Sequence, residues 1–260
     1  MSGLAAQQTP LARLLYRRSL APFALSQRTS IPQAQLQAIS DGDRPSPGLL
    51  RVLAPALNLH TADLFVIAEL PVPDDLTPLD GGAGRSVASL VRAAAQLPSK
   101  QRHRLHQIVC SLPQAKRRRQ FPPTPAYDTH PPAPGAMILR LLRNRNLDLL
   151  GTAKCLAVLT PHYLAASTIG RIGRGDTELT TDLLASFAAL LAISAEDLAA
   201  LTDLGPPGTT RASLAARDVA ALIWEARRLT ASQVEDVVSE AGSMLHRLGG
   251  RDENSVQHTI

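Results

Sequence analysis

Apolar residues recur every three to four positions along most of the chain, which is the spacing of one face of an α-helix. In the first 70 residues this period predicts five short helices. Each predicted helix begins at a proline or at a hydroxyl side chain, both of which suit a helix start. These starts are Pro10, Pro22, Pro32, Ser46 and Thr61. We expect Pro71 and Pro73 to end this first unit.

Further helices follow, separated by one long segment of a different kind. Residues 85–97 and 99–112 have the spacing of two amphipathic helices, and 212–228 and 230–247 predict a final helical pair. Residues 114–135 contain six prolines and a basic cluster, which predicts a linker without regular structure. We expect an N-terminal domain, connecting helices, this linker, a second domain, a C-terminal pair and a disordered tail. Their predicted bounds are 1–80, 81–113, 114–135, 136–205, 206–248 and 249–260.

The apolar pattern of the first unit returns in the second. Leu14 has a counterpart in Leu141, 127 positions later, and Leu36 has one in Ile169, 133 positions later. The leucines of the fourth predicted helix have counterparts 134 positions later. The change in offset predicts six additional residues in the second copy, around 160–165. An internal duplication accounts for these matches, and chance similarity between two Ala- and Leu-rich helical segments is the alternative.

The composition favours helices throughout. Apolar residues make up 45% of the chain but aromatic residues only 3%, and Ala and Leu enter helices at low cost. We therefore predict an all-α fold. No apolar run approaches the length of about 20 residues that spans a membrane. The N-terminus lacks the charged start, apolar core and cleavage site that follow one another in a signal peptide. Cys110 and Cys155 are interpreted as ordinary thiols in a reducing compartment, so we expect a cytoplasmic protein that binds no membrane.

Positive charge is concentrated in the middle of the chain. The net charge is +5, but residues 81–135 hold nine basic side chains and one acidic side chain. Each of the other segments, 1–80, 136–208 and 209–260, has a net charge of −1. The excess peaks at Lys116, Arg117, Arg118 and Arg119. Such a run suits a polyanion such as DNA, while a solvated linker is the alternative interpretation.

Several residues of the first unit occur in a characteristic order. Ser26 is a small residue midway along the second predicted helix, where a neighbouring helix would cross closely. Ile31 precedes the third helix, whose apolar Leu36 and Ile39 are three residues apart. Gly42 follows, and the short sequence DRPS then leads into the fourth helix.

In these features, residues 10–68 resemble the lambda-repressor/Cro-like helix-turn-helix family, also called the XRE family. Ser30 departs from the family pattern, because this turn usually holds a glycine that adopts positive φ at low cost. Residues 136–203 resemble the family less closely, in the manner of two-headed actinobacterial XRE-like regulators. The resemblance implies two helix-turn-helix bundles, joined here by a helical and proline-rich basic linker and followed by the C-terminal helical pair.

In this family the third helix enters the major groove of double-stranded DNA. The outward positions of this helix would be Gln33, Ala34, Gln37 and Ala38. A Gln amide can pair with adenine, and Ala34 can contact a thymine methyl group. Arg28 and Arg44 flank the helix and are candidate phosphate contacts. A plain solvated helix surface is the alternative interpretation of the glutamines.

The second unit offers a weaker set of candidate DNA contacts. Its outward residues would be Ser167, Thr168, Arg171 and Arg174. The basic run Lys116–Arg119 is a candidate phosphate contact for either unit. The C-terminal helices are a candidate homodimer interface, and the sequence identifies no small-molecule effector.

Enzyme chemistry has little support in the sequence. We find no phosphate-binding loop and no assignable catalytic residue, and we expect no cofactor. His103 and His106 are three residues apart, but we expect no metal site because no carboxylate or cysteine lies nearby to complete one. We therefore predict a sequence-specific DNA-binding transcriptional regulator. A protein–protein adaptor built on degenerate helix-turn-helix units is the alternative.

Overall fold

The computed structural model describes residues 8–117, 133–205 and 213–256, with side chains as far as Leu248. Within these ranges the chain forms α-helices and short 3-10 turns but no β-strand, which confirms the predicted all-α class. The first five helices are α1 (Pro10–Arg17), α2 (Pro22–Thr29), α3 (Gln33–Ser40), α4 (Pro47–Ala56) and α5 (Thr61–Ile67). Two longer helices follow, α6 (Gly84–Gln96) and α7 (Ser99–Ser111).

The remaining helices form a second group of five and a final pair. The group consists of α8 (Pro134–Arg143), α9 (Leu149–Leu159), α10 (Ala166–Arg174), α11 (Thr181–Leu191) and α12 (Ala195–Thr202). The pair consists of α13 (Leu214–Ala226) and α14 (Ala231–Val256). The backbone helix of α14 thus extends to Val256, whereas a disordered tail was predicted from residue 249. Part of the predicted linker, residues 118–132, lies outside the described ranges.

Four helices of the second unit (α8–α12) begin at the predicted offsets from their counterparts in the first unit (α1–α5). The exception is α8, which begins 124 positions after α1 and not 127. Helix α9 begins 127 positions after α2, and α10 begins 133 positions after α3. Helix α11 begins 134 positions after α4, and α12 begins 134 positions after α5. The six additional residues are not confined to the loop, because α9 has eleven residues and α2 has eight. The other three lie in the loop at 160–165, which replaces the loop at 30–32.

The backbone of the two units turns at the same places. Four positions with positive φ in the first unit have positive-φ counterparts in the second, although most are not glycine. The pairs are Ser19 with Asn146, Gly42 with Gly175, Asn58 with Ala192, and Glu69 with Asp203. Positive φ is uncommon outside glycine, so this agreement is a sensitive sign of a shared backbone path.

A third group of helices assembles from two distant parts of the sequence. Helices α6 and α7 pack against α13 and α14, and together they form a helical bundle that we call the third bundle. It contacts the second unit through α6 against α9 and α13 against α11. The connecting helices and the C-terminal pair, predicted as separate segments, therefore share one core.

The two units meet through ion pairs that repeat in both directions. Arg18 of the first unit pairs with Asp197 of the second, with Nη2 and Oδ2 2.7 Å apart. Arg145 of the second unit pairs with Asp63 of the first at 2.8 Å. Arg145 lies 127 positions after Arg18, and Asp197 lies 134 positions after Asp63, so equivalent residues exchange roles. This reciprocity is typical of an isologous, two-fold interface between subunits.

The two ion pairs differ in their exposure to water. The Arg145 and Asp63 side chains are each only 1% exposed, whereas those of Arg18 and Asp197 are 23% and 13% exposed. The third bundle causes this difference. Its Trp224 stacks on His60 with ring centroids 3.5 Å apart, and the Arg145 guanidinium lies 5.2 Å from the Trp224 ring centre. Trp224 therefore joins the third bundle to both units.

The buried pair should contribute much more to stability than its exposed counterpart. We expect Asp63→Asn to lower the free energy of unfolding by about 3–5 kcal/mol, because Arg145 is left buried without a counter-charge. Asp197→Asn, the matched control at the equivalent position, should cost on the order of 1 kcal/mol, since water screens that pair. Urea unfolding of both variants measures the difference, and equal losses would contradict the assigned burial.

The stacked His60 should make stability depend on pH. Burial lowers its pKa to about 4; the charge of Asp63 opposes this change, and those of Arg145 and Arg227 add to it. Between about pH 6.5 and 4 only the unfolded chain binds the proton, so stability should fall as the pH falls through this window. His60→Phe retains a stacking ring without titration and should flatten that dependence in urea midpoints. The exposed control His103→Gln should leave the pH dependence of the urea midpoint unchanged. If the midpoint of His60→Phe falls with pH as steeply as that of the wild type, His60 is not the cause of the dependence.

Candidate nucleic-acid interface

The predicted reading face of α3 is open to solvent. Leu36 and Ile39 are buried on the opposite side, where α3 packs against α1 and α2. Gln33, Ala34 and Gln37 are exposed. Gln37 is held by its neighbour, because its Nε2 donates to Asp41 Oδ1 at 3.0 Å. Gln33 has no hydrogen bond to described parts of the chain and can turn toward an outside partner.

The turn before α3 forms without glycine. Ser30 has φ 58° and ψ 16°, the left-handed conformation, and its N–H is bonded to the Ser26 carbonyl. The chain then needs only Ile31 and Pro32 before α3 begins. The predicted departure at Ser30 is therefore accommodated by the backbone that a glycine would adopt.

The starts of α2 and α3 present free backbone donors. Ala21 precedes α2 and Pro32 precedes α3, and neither side chain caps its helix. The first N–H groups of a helix have no partner within the helix, and they attract anions such as phosphate. In contrast, Ser46 caps α4 by accepting from the Leu49 N–H. Uncapped starts are therefore present on both helices that the family resemblance assigns to DNA. They are not confined to these two, because α5, α6, α7, α8 and α10 also begin without a side-chain cap.

The flanking arginines differ in their freedom. Arg44 is exposed. Arg28 is also exposed, but its Nη2 donates to the Ala56 carbonyl at 3.0 Å. Asp41 and Asp43 lie at the end of α3 and offset these two charges. The reading face is therefore close to neutral, in agreement with the sequence of the unit.

The structure describes the first two residues of the basic run, and these two differ in exposure. Lys116 is exposed. Arg117 is half-buried. Its Nη1 donates to the Pro78 carbonyl and its Nη2 to the Thr77 carbonyl, both at 2.9 Å. Arg118 and Arg119 lie outside the described residues. Arg117 thus ties the segment to the end of the first unit, and its guanidinium is already engaged.

The candidate residues of the second unit are unequally available. Ser167 and Arg171 are exposed and Thr168 is half-buried. Arg174 is exposed but pairs with Asp176, with Nε and Oδ2 2.8 Å apart. Helix α10 lies directly against α8, since a side chain at Gly173 would overlap Leu139. The glycine that weakens α10 as a helix therefore leaves room for the Leu139 side chain.

The start of α9 is closed at the position where the start of α2 is open. Asp148, the counterpart of Ala21, caps α9 by accepting from the Gly151 N–H at 2.6 Å. Helix α6 also packs over this corner, so closely that a side chain at Gly84 would overlap the Asn146 carbonyl. A phosphate at this corner would meet a carboxylate and a covered helix start. Asp148 is visible in the sequence, but the position of α6 depends on contacts between distant segments.

The expectation that no cysteine lies near His103 and His106 was wrong. Cys110 lies one turn after His106, and its sulfur is 3.7 Å from His106 Nδ1. His103 instead contacts Gln107, with Nε2 atoms 3.1 Å apart. In the described part of the chain, no group of three or more His, Cys, Asp or Glu side chains is placed to hold a metal ion.

Comparison with known proteins does not assign a family. No family model matches the chain. No curated protein matches it either. No solved structure matches it. Among the described residues, no single helix is both long and apolar enough to cross a membrane, although α4 with α5 and α11 with α12 reach that length as bent pairs.

The left-handed turn predicts a stabilising substitution. Ser30→Gly should raise the free energy of unfolding by about 0.5–1 kcal/mol, because glycine adopts positive φ without the steric cost that a serine has. The control Ser26→Gly, four residues earlier within α2, should lower it by a similar amount, since glycine is unfavourable inside a helix. Urea unfolding of both variants tests this, and a destabilised Ser30→Gly would contradict the turn geometry.

Proposed function

We propose that the protein is a DNA-binding transcriptional regulator that reads bases with α3 of the first unit. One observation carries the proposal: the exposed N-terminal half of α3 joins the free amide side chain of Gln33 to an open helix start. Gln33 and Ala34 project there beside backbone N–H groups that have no cap. Base readout needs hydrogen-bonding side chains at the front of such a helix, and phosphate contacts need donors around it.

The helix-turn-helix resemblance supports the same assignment. Helices α2 and α3 are each eight residues long, pack together and are joined by a short left-handed turn. The outer side of α2 is free, with Phe23, Ala24, Gln27 and Arg28 exposed. In such motifs the helix before the reader crosses the DNA backbone. The open side of α2 is compatible with that role.

We assign the second unit a supporting role. Its equivalent face is less suited to phosphate, because Asp148 stands at the start of α9 and α6 covers the same corner. Its interface with the first unit, in contrast, is extensive and includes both reciprocal ion pairs. On this proposal Ser167, Thr168, Arg171 and Arg174 are secondary candidates, and the second unit holds the reading unit in place.

The adaptor alternative keeps one point in its favour. Both units have a net charge of −1, and DNA affinity depends on cations that release counterions from the phosphates. The two functions differ in their response to salt, since contacts with most proteins lack this steep dependence.

Substitution of Gln33 tests the proposal. Duplexes selected by the full chain from a random pool are titrated by fluorescence anisotropy against wild type, Gln33→Ala and Gln35→Ala. Gln35 is a matched control, because it is exposed on the same helix but lies on another side. Gln33→Ala should reduce discrimination at one base pair by about 5- to 150-fold, the loss expected for one bidentate contact.

The control should retain the selected preference. If Gln33→Ala retains it as well, α3 is not the reader. If no duplex binds the wild-type chain even at low salt, the adaptor alternative replaces the regulator.

A further inference from the structure

Helices α6 and α7 carry positive charge and no negative charge of their own. Residues 81–113 contain five Lys or Arg side chains and no Asp or Glu. The run Lys116–Arg119 therefore supplies only four of the nine cations in residues 81–135. The other five lie on two helices whose surfaces the structure describes.

Helix α7 has one open face with a distinct composition. Leu105 and Val109 are buried on the opposite face, where α7 packs against α13. The exposed residues recur at helical spacing and include no carboxylate. They are Ser99, Lys100, His103, Arg104, Gln107, Cys110 and Ser111. We call Lys100, His103, Arg104, Gln107 and Ser111 the α7 stripe; each of these side chains can donate a hydrogen bond.

The carboxylates of α13 do not neutralise the stripe, because each is paired with another arginine. Asp218 of α13 is paired with Arg102, which is not part of the stripe, with Oδ2 and Nε 3.0 Å apart. Glu225 of α13 is paired with Arg228 at 3.2 Å. Lys100 and Arg104 have no such partner among the described residues, so their charges face solvent.

We propose that the α7 stripe binds the phosphate backbone of duplex DNA and supplies a contact that is independent of sequence. This inference rests on the proposed function and adds to it a second DNA surface, on the third bundle. Lys, Arg, Ser and Gln side chains are common donors to phosphate oxygens. The contact supplies the cations that the near-neutral reading unit lacks.

The chemistry of the stripe favours DNA over an acidic protein. Protein interfaces have an apolar or aromatic centre that is shielded from water. The α7 stripe contains no apolar side chain, and its buried apolar residues already pack in the third bundle. Interfaces with DNA are more polar and much more positively charged, which fits this face.

Neutralising two cations tests the inference. Binding of the full chain to a selected duplex and to a random duplex is measured across a salt series. The wild type is compared with Lys100→Gln/Arg104→Gln and with a control, Lys154→Gln/Arg247→Gln, which removes two exposed cations from α9 and α14. The stripe variant should bind both duplexes more weakly. The slope of log Kobs against log salt should become less steep by about 1.8, which is two lost phosphate contacts.

The outcomes separate this inference from the proposed function. An unchanged salt slope in the stripe variant, or an equal change in the control, overturns the α7 contact while base reading by Gln33 can still hold. A reduced slope without any sequence preference supports the α7 contact and rejects the regulator. Absence of all duplex binding rejects both, and binding of polyglutamate in its place would identify an acidic protein as the partner.

Discussion

The burial of one positive and one negative charge at a single point fixes the relative position of the three helical groups. Arg145 donates to both oxygens of Asp63, at 3.0 and 2.8 Å, and also to the carbonyl oxygens of Leu141 and Leu191. Asn144 gives Asp63 a further hydrogen bond at 3.0 Å. Charges without water require such complete pairing. The two units therefore cannot separate here without exposing or orphaning a charge.

The third bundle seals this point and extends it. Arg227, the residue after α13, donates to the Asn144 carbonyl at 2.8 Å and to the Leu76 carbonyl. Its guanidinium lies 4.2 Å from the Trp224 ring centre. Asp80 accepts from the Ala231 N–H at the start of α14. The segment between α5 and α6 is thus bonded to both later groups. These contacts explain why α6 rests on the second unit and closes the corner at Asp148.

Local signals predicted the individual helices well. Prolines and hydroxyl side chains placed the helix starts within one residue, and the rising offsets of the leucines placed those of the second unit. Their assembly was not predictable in the same way. The pairing of α6 and α7 with α13 and α14 joins residues more than 100 positions apart, which no short-range period encodes. The burial of Arg145 has no sequence signal, because charged residues are rarely buried and only its distant partner Asp63 makes the burial tolerable.

In the candidate site, too, the features set by the local helical period were predictable, and those set by distant contacts were not. The exposure of Gln33, Ala34 and Gln37 followed from the helical period, since Leu36 and Ile39 define the opposite face. The engagement of Arg117 with the carbonyl oxygens of Thr77 and Pro78 did not, because a run of cations reads as solvated. The role proposed for α7 likewise depends on which of its faces α13 leaves open.

The reciprocal ion pairs have an evolutionary consequence. In a homodimer every substitution enters both halves of an interface at once, so a change must be acceptable twice. Once both halves belong to one chain, each can vary separately. Ala21 and Asp148, or the 23% and 1% exposed arginines at equivalent positions, are differences that a true two-fold assembly could not accumulate. Covalent fusion thereby allows one half to specialise while the other preserves the shared framework.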